Sequence, residues 1–296
     1  MEKRVTGALP TDQVEGVYHR RIGDAVVTAL SDGHLQPPLA VLRGVEEGRL
    51  RATLAEAFRP DPPPLSVNAF LVRARGRTAL VDAGGGGIAP TLGRMAAALV
   101  GAGLNPADVD TVLLTHLHRD HVGGLVDASG QVRFHNATLH AHQDEIDFWL
   151  NPARAEGLDP SLQQQFTIAA QSLGPYGGRL EGFRGEQEVF PGVFSVEMPG
   201  HAPGHCGWRI GAGAEALLIW GDLLHFPEIQ ARHPEAGLVF DWNPEQAIAT
   251  RRRVLDMAAK DRLLVAGMHL HFPAFAHVAY REGAYAVVPE PWATRL

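Results

Sequence analysis

Cysteine is almost missing from this chain. Cys206 is the single one in 296 residues, so no intramolecular disulfide can form and nothing points to an oxidising compartment. No run is long and apolar enough to cross a membrane. The opening stretch Met1–Thr6 lacks the apolar core of a secretory leader, so a cytoplasmic protein without a membrane partner is expected. A basic excess is missing as well. The 26 Lys and Arg against 33 Asp and Glu leave a formal charge of -7, which argues against a nucleic-acid partner. There is no G-x-S-x-G elbow to present a serine nucleophile. The glycine run Gly84–Gly87 lacks the Lys-Ser/Thr of a phosphate loop and the spacing of a dinucleotide loop. Repeats, low-complexity tracts and long linkers are absent too; the Pro-rich run at 59–64 is too short to divide domains. What is present is an ordinary globular composition, 45% hydrophobic and 20% charged, in a chain long enough to bury a large core without staples.

Strands and helices interleave along that chain. Val17–Ile22 and Ala25–Leu30 read as a hairpin around Gly23-Asp24, and residues 44–58 as a helix with Leu50, Leu54 and Phe58 at spacing four. Val67–Val72, Thr78–Val81 and Val109–Leu114 read as apolar strands, with a helix over Thr91–Val100. Residues 143–173 read as two helices broken around Asn151-Pro152. Val189–Met198 reads as a hairpin, and Ala216–Trp220 and Leu263–Ala266 as buried strands. Asn243-Pro244 caps and opens a helix of about 15 residues. One α/β domain over 1–296 is the simplest reading. It would carry an N-terminal hairpin and excursion at 1–66 and a helical insertion at 143–185.

The chemistry is concentrated in Thr115-His116-Leu117-His118-Arg119-Asp120-His121-Val122-Gly123-Gly124. Imidazole and carboxylate are ligands that zinc, cobalt, manganese and iron accept. On a strand, alternate side chains share a face, so His116 and His118 can meet at one ion. The turn that follows can aim Asp120 and His121 at a second, with Gly123-Gly124 letting the backbone turn away. Three further pieces each follow a strand: Pro199-Gly200-His201, Trp220-Gly221-Asp222, and Gly267-Met268-His269-Leu270-His271. The last offers two histidines, His269 and His271, for one ligand position.

With these motifs, from about Val67 to His277, the sequence resembles the metallo-β-lactamase superfamily. Within it the chain resembles the methyl parathion hydrolase group and the related quorum-quenching lactonases, through Val67-Asn68-Ala69-Phe70-Leu71-Val72, Val81-Asp82-Ala83-Gly84, Trp220-Gly221-Asp222-Leu223-Leu224-His225 and Met268-His269 with Phe272-Pro273. The resemblance implies an αββα sandwich, two mixed β-sheets flanked by helices. It implies two divalent ions, most simply zinc, with cobalt, manganese or iron as alternatives. His116, His118 and His201 would hold the first and Asp120, His121 and His269 the second, with Asp222 bridging. His271 stands where the family pattern has proline.

Two such cations can share a water and lower its pKa toward ~7, giving a hydroxide nucleophile while polarising the substrate. Asp120 would orient that nucleophile and pass on its proton. Behind the ligands, Asp82, His205, His225 and His277 are candidate supporting donors. Phe148, Trp149, Phe166 and Phe183 are candidate walls of an apolar pocket. The expected activity is hydrolysis of a lactone or ester, with phosphotriesters as further substrates. With a short tail after His269, a glutathione-gripping domain is not expected. His118 stands where the diiron reductases of this fold place Glu. Asp222 separates the chain from zinc β-lactamases, and its acidic balance from nucleases. A mononuclear iron sulfur dioxygenase on the same fold is the competing expectation. The partner is a small-molecule substrate, and a homodimer is compatible with the sequence.

Overall fold

Strand-forming apolar runs separated by Gly and Pro turns assemble into two seven-stranded sheets in this computed structural model, which describes residues 13–296. The stretch Met1–Thr6 examined for a leader lies outside the described residues. The first sheet contains Val17–Ile22 (β1), Ala25–Leu35 (β2), Leu65–Ala74 (β3), Arg77–Val81 (β4), Thr111–Leu113 (β5), Thr138–His142 (β6) and Leu180–Phe183 (β7), in chain order across the sheet. β1 to β4 pair antiparallel and β4 to β7 parallel. The second contains Glu188–Phe190 (β8), Val193–Glu197 (β9), Cys206–Ile210 (β10), Leu217–Ile219 (β11), Leu264–Ala266 (β12), Phe275–Arg281 (β13) and Ala284–Pro289 (β14), again in order. Here only β11 and β12 are parallel. Both sheets are mixed and flanked by helices, as the αββα expectation requires.

Alternation along β3 shows why the layers stack this way. Phe70 and Val72 face Val27, Trp208 and Ile219 in the core between the sheets. Ala69 and Leu71 face the opposite way, into a second core closed by helices Met95–Gly101 (α2, after Glu47–Glu56, α1) and Pro160–Leu173 (α5, after Arg119–Val122, α3, and Gln143–Trp149, α4). A strand buried on both faces reads as a continuous apolar run, which is how Val67–Val72 reads. On the far side of the second sheet, Pro227–Arg232 (α6) and Pro244–Lys260 (α7) complete the sandwich. α7 buries Ala247, Thr250, Arg251, Val254, Leu255 and Ala258, one face of a 3.6-residue period. Its cap is the expected one: the Asn243 side chain accepts from Gln246 N, and Pro244 occupies the first turn.

Two boundaries differ from the sequence reading for identifiable reasons. The helix expected from Thr91 starts at Met95, because Asp32 gathers the N–H groups of Gly93 and Met95 and holds the preceding residues in a loop. The break expected at Asn151-Pro152 widens through a short 3-10 turn, Pro152–Ala155, and the second helix begins at Pro160. There Asp159 accepts from Ser161 N and Leu162 N. No helix of the described residues is long and apolar enough to cross a membrane.

Candidate metal centre

Four chain segments deliver donors to one edge of the sandwich, each just beyond a strand end. β5 stops at Leu113, and the buried Leu114 and Thr115 lead to His116. Asp82, just past β4, fixes this exit. It accepts Thr115 N at 2.8 Å, Thr115 Oγ1 at 2.7 Å and His121 Nδ1 at 2.7 Å. Asp82 does so with φ +53, a left-handed backbone that short polar residues tolerate better than most. α3 is a single turn, and it swings Asp120 and His121 off the line set by His116 and His118. Gly123 and Gly124 work differently from the expectation. Neither has positive φ; instead an added Cβ would lie 2.3 Å from Gly85 O and 1.9 Å from Ala83 O, so close backbone packing is what excludes a side chain. Gly221, before Asp222, does have φ +56, and a Cβ there would meet His205 Nε2 at 2.4 Å.

The donors converge. One ligand atom each from His116, His118, His201 and Asp222 lies within 4.8 Å of the others, and the same holds for Asp120, His121 and His269. Asp222 stands between the groups. Its Oδ2 is 3.6 Å from His116 Nε2, 3.4 Å from His201 Nε2 and 3.1 Å from His269 Nε2, while Oδ1 is 3.1 Å from His121 Nε2. Asp120 Oδ2 lies 3.8 Å from His121 Nε2 and 3.6 Å from His269 Nε2. His118 and Asp120 are the partly exposed members, so the cluster opens to solvent on their side. His271 is two residues from His269 but points elsewhere, to Glu228 Oε1 at 2.8 Å.

Three atoms test whether cations fit. His116 Nε2, His121 Nε2 and Asp222 Oδ1 are buried without an aligned hydrogen bond, although the last two approach closely. Leaving such a group unsatisfied costs about 1–3 kcal/mol, and a cation would give all three a partner. The electrostatics agree. Burial first, then neighbouring imidazoles, hold His116 and His118 neutral, the form that ligates metal. Burial would also depress His121 and His269, but the carboxylates of Asp222 and Asp120 reverse this and raise both. For His201 the hydrogen bonds to Asp222 and Asp241 outweigh burial and raise it to about 9. Asp222 is held well below the carboxylate range despite its burial, chiefly by His121, His269 and His225. The pocket thus favours positive charge beside neutral imidazole lone pairs.

Of the expected supporting donors, Asp82 binds His121 as described. His205 spans two backbones, with Nδ1 on Met198 O at 2.8 Å and Nε2 accepting Asp222 N at 2.9 Å; burial lowers its pKa to about 3. His225 Nε2 reaches Asp222 Oδ2 at 3.0 Å, and its ring stacks on His269. His277 does not belong with them. It is exposed on β13 and bonds Leu263 O, at the end of β12 opposite His269.

Sequence reasoning missed four supports. Asp241 accepts His201 Nδ1 at 2.8 Å. Ser66 O accepts His269 Nδ1 at 2.7 Å. Asn68 Nδ2 donates to Met268 O and Leu270 O, holding the turn that carries His269. Glu145 accepts Leu117 N at 2.9 Å and Gly204 N at 2.7 Å. Asn68 had a signal, a polar residue inside an apolar strand; the others are set by packing across the chain.

The aromatic wall is partly as expected. The Trp149 ring lies 5.3 Å from His118, and Phe148, Trp149 and Phe166 pack together with Phe148 against the half-exposed Trp242. On its other side, Trp149 lines a cavity of about 660 Å³ with Leu150, Pro152 and Phe166. Phe183 is corrected: it packs against His142 and Trp208 in the core between the sheets, because β7 faces that way. A separate cavity of about 420 Å³ lies beside Glu228, whose carboxylate contacts both Arg59 and His271.

The sequence pattern of the Metallo-beta-lactamase superfamily matches residues 62–269. A solved hydrolase, AbOPH, of the beta-lactamase superfamily superposes with a TM-score of 0.90 at 29% identity, covering 95% of this chain and 100% of that one. AidC, a dizinc quorum-quenching lactonase solved with a product bound, superposes with a TM-score of 0.88 at 25% identity, covering 96% and 100%. A probable metallo-hydrolase of Mycobacterium bovis is 30% identical over 135 residues, 42% of this chain. This match spans only 39% of that curated relative.

Proposed function

The chain belongs to the metallo-beta-lactamase superfamily, and from that premise we propose that it is a dinuclear metal-dependent hydrolase of lactones or esters. The observation that carries this reading is the convergence of seven donors around buried, unpartnered nitrogen and oxygen atoms. His116, His118, His201 and Asp222 would hold one ion, and Asp120, His121, His269 and Asp222 the other. Bound there, two divalent cations would acidify a water toward ~pKa 7 and polarise the substrate's carbonyl or phosphoryl oxygen.

The chain's own residues supply the rest. Asp120 is partly exposed at the mouth of the cluster, where its free carboxylate oxygen can orient a water and hold its proton. Asp82, Asp241 and Ser66 O fix the imidazole rings from behind. Trp149 and Phe148 give the His118 side an apolar wall, which suits an acyl or aryl substituent. Zinc is the proposed metal and a small molecule the proposed partner. Phosphotriester cleavage and a homodimer belong to the same proposal.

The test is metal analysis of the purified protein beside a screen of lactones, aryl esters and phosphotriesters. Two zinc, cobalt or manganese ions per chain, with chelator-sensitive turnover of an apolar lactone or ester, is the expected result. One iron per chain, with oxygen consumed on a persulfide and no hydrolysis, would replace this reading with a sulfur dioxygenase.

A further inference from the structure

We propose that Glu145 is a positioning residue, a buried staple that sets the separation of His118 and His201 and so forms one half of the metal centre; this rests on the dinuclear reading. Glu145 is fully buried on α4, in neither ligand segment. Its Oε2 accepts the N–H of Leu117, the residue between His116 and His118. Its Oε1 accepts the N–H of Gly204, in the loop that carries His201. One carboxylate thereby joins two ligand segments that come from different sheets.

The site is built tightly around this group. An added Cβ at Gly204 would lie 2.5 Å from His142 Nδ1 and 3.0 Å from Glu145 N, so the loop lies directly on the start of α4. Gln165 of α5 holds the other side of the same peptide region, donating to Leu117 O at 3.0 Å. Trp149 is one helical turn from Glu145 and packs its ring on His118. α4 therefore grips the His118 segment twice, at the backbone and at the imidazole. The other ligand group has no contact of this kind from Glu145; its anchors are Asp82 and Ser66 O. A glutamine at 145 keeps the shape but turns one acceptor into a donor, which would face a backbone N–H.

The experiment is zinc titration by calorimetry at pH 8, with elemental analysis after dialysis, on wild type, Glu145→Gln, Glu145→Asp and the double variant Glu145→Gln/His269→Ala. Wild type should bind two ions. Glu145→Gln should bind one at wild-type affinity and the other about 10- to 100-fold more weakly, the range for loss of a group that supports a ligand. Glu145→Asp, which keeps both acceptors on a shorter stem, should recover part of that loss. Adding His269→Ala should remove the ion that Glu145→Gln retains. Two ions at wild-type affinity in Glu145→Gln overturn the staple and leave the dinuclear reading intact. Equal weakening of both ions overturns it too, as does loss of fold in both single variants, because Glu145 would then support the whole fold rather than one half-site. A wild type that binds fewer than two ions overturns both readings.

Discussion

The two halves of the donor cluster share Asp222 but are held in place by different parts of the molecule. His121 and His269 lean on Asp82 and on Ser66 O, at the ends of β4 and β3 in the first sheet. Those strands are buried on both faces and pair with two neighbours each. His118 and His201 lean on Glu145 of α4 and Asp241 of the loop before α7, both outside the sheets. One half is therefore continuous with the core. The other depends on elements that also form the aromatic wall beside the opening. A substrate seated on that wall would touch the structure that positions His118, whereas Asp82 is fully buried and holds His121 and, through Thr115, the strand exit that leads to His116.

Removing what the halves share should have the largest effect. Asp222→Ala is expected to abolish metal-dependent turnover and lower the occupancy of both ions while the chain stays folded. Full activity with two bound ions in that variant would end the account of a shared bridge. Next comes a ligand belonging to one half: His269→Ala should lose a single ion and most activity, read by elemental analysis and kcat/KM. Supports should rank third, and unequally. Asp82 serves three buried hydrogen bonds, so Asp82→Ala should lower stability by about 3–5 kcal/mol, as for a broken buried pair. Asp241→Ala should act mainly on zinc affinity, by ~10-fold, with a smaller shift in a urea melt. Equal stability losses for the two would erase the contrast between core and periphery.

The smallest effect is expected at His271. His271→Ala should keep both ions and cost a small amount of stability, with a pH dependence set by Glu228. Burial pushes Glu228 up, but His271 and Arg59 outweigh it and bring its pKa to about 2, below the ordinary 4.5. A carboxylate depressed in this way stabilises the fold fully above pH 4.5, and the contribution fades as pH falls toward 2. The variant, lacking that partner, should therefore melt below wild type above pH 4.5, and the two should converge as pH falls toward 2. Loss of an ion in His271→Ala would exchange the roles of the two histidines.

Much of this was legible in the residues. The apolar runs with their Gly and Pro breaks located most strands and the capped α7, and the donors spaced after strand ends are the ones that the fold gathers into one His/Asp cluster. The choice between His269 and His271 was open locally, since both follow β12 within a few residues. The structure separates them because Asn68 ties the turn through Met268 O and Leu270 O, sending His269 inward and leaving His271 to Glu228. Phe183 and His277 went astray for a related reason: residue type marks what can line a site, but the face of a strand decides what does.

The sequence by itself determined the ligand chemistry and the strands that present it, because periodicity and residue type are local properties. Only the tertiary structure decided which groups stand behind the ligands. Glu145, Asp241 and Ser66 lie 28, 40 and 203 residues from the partners they hold. A hydrogen bond acts over about 3 Å of space, and no spacing along a chain encodes a contact made only when two sheets close on each other.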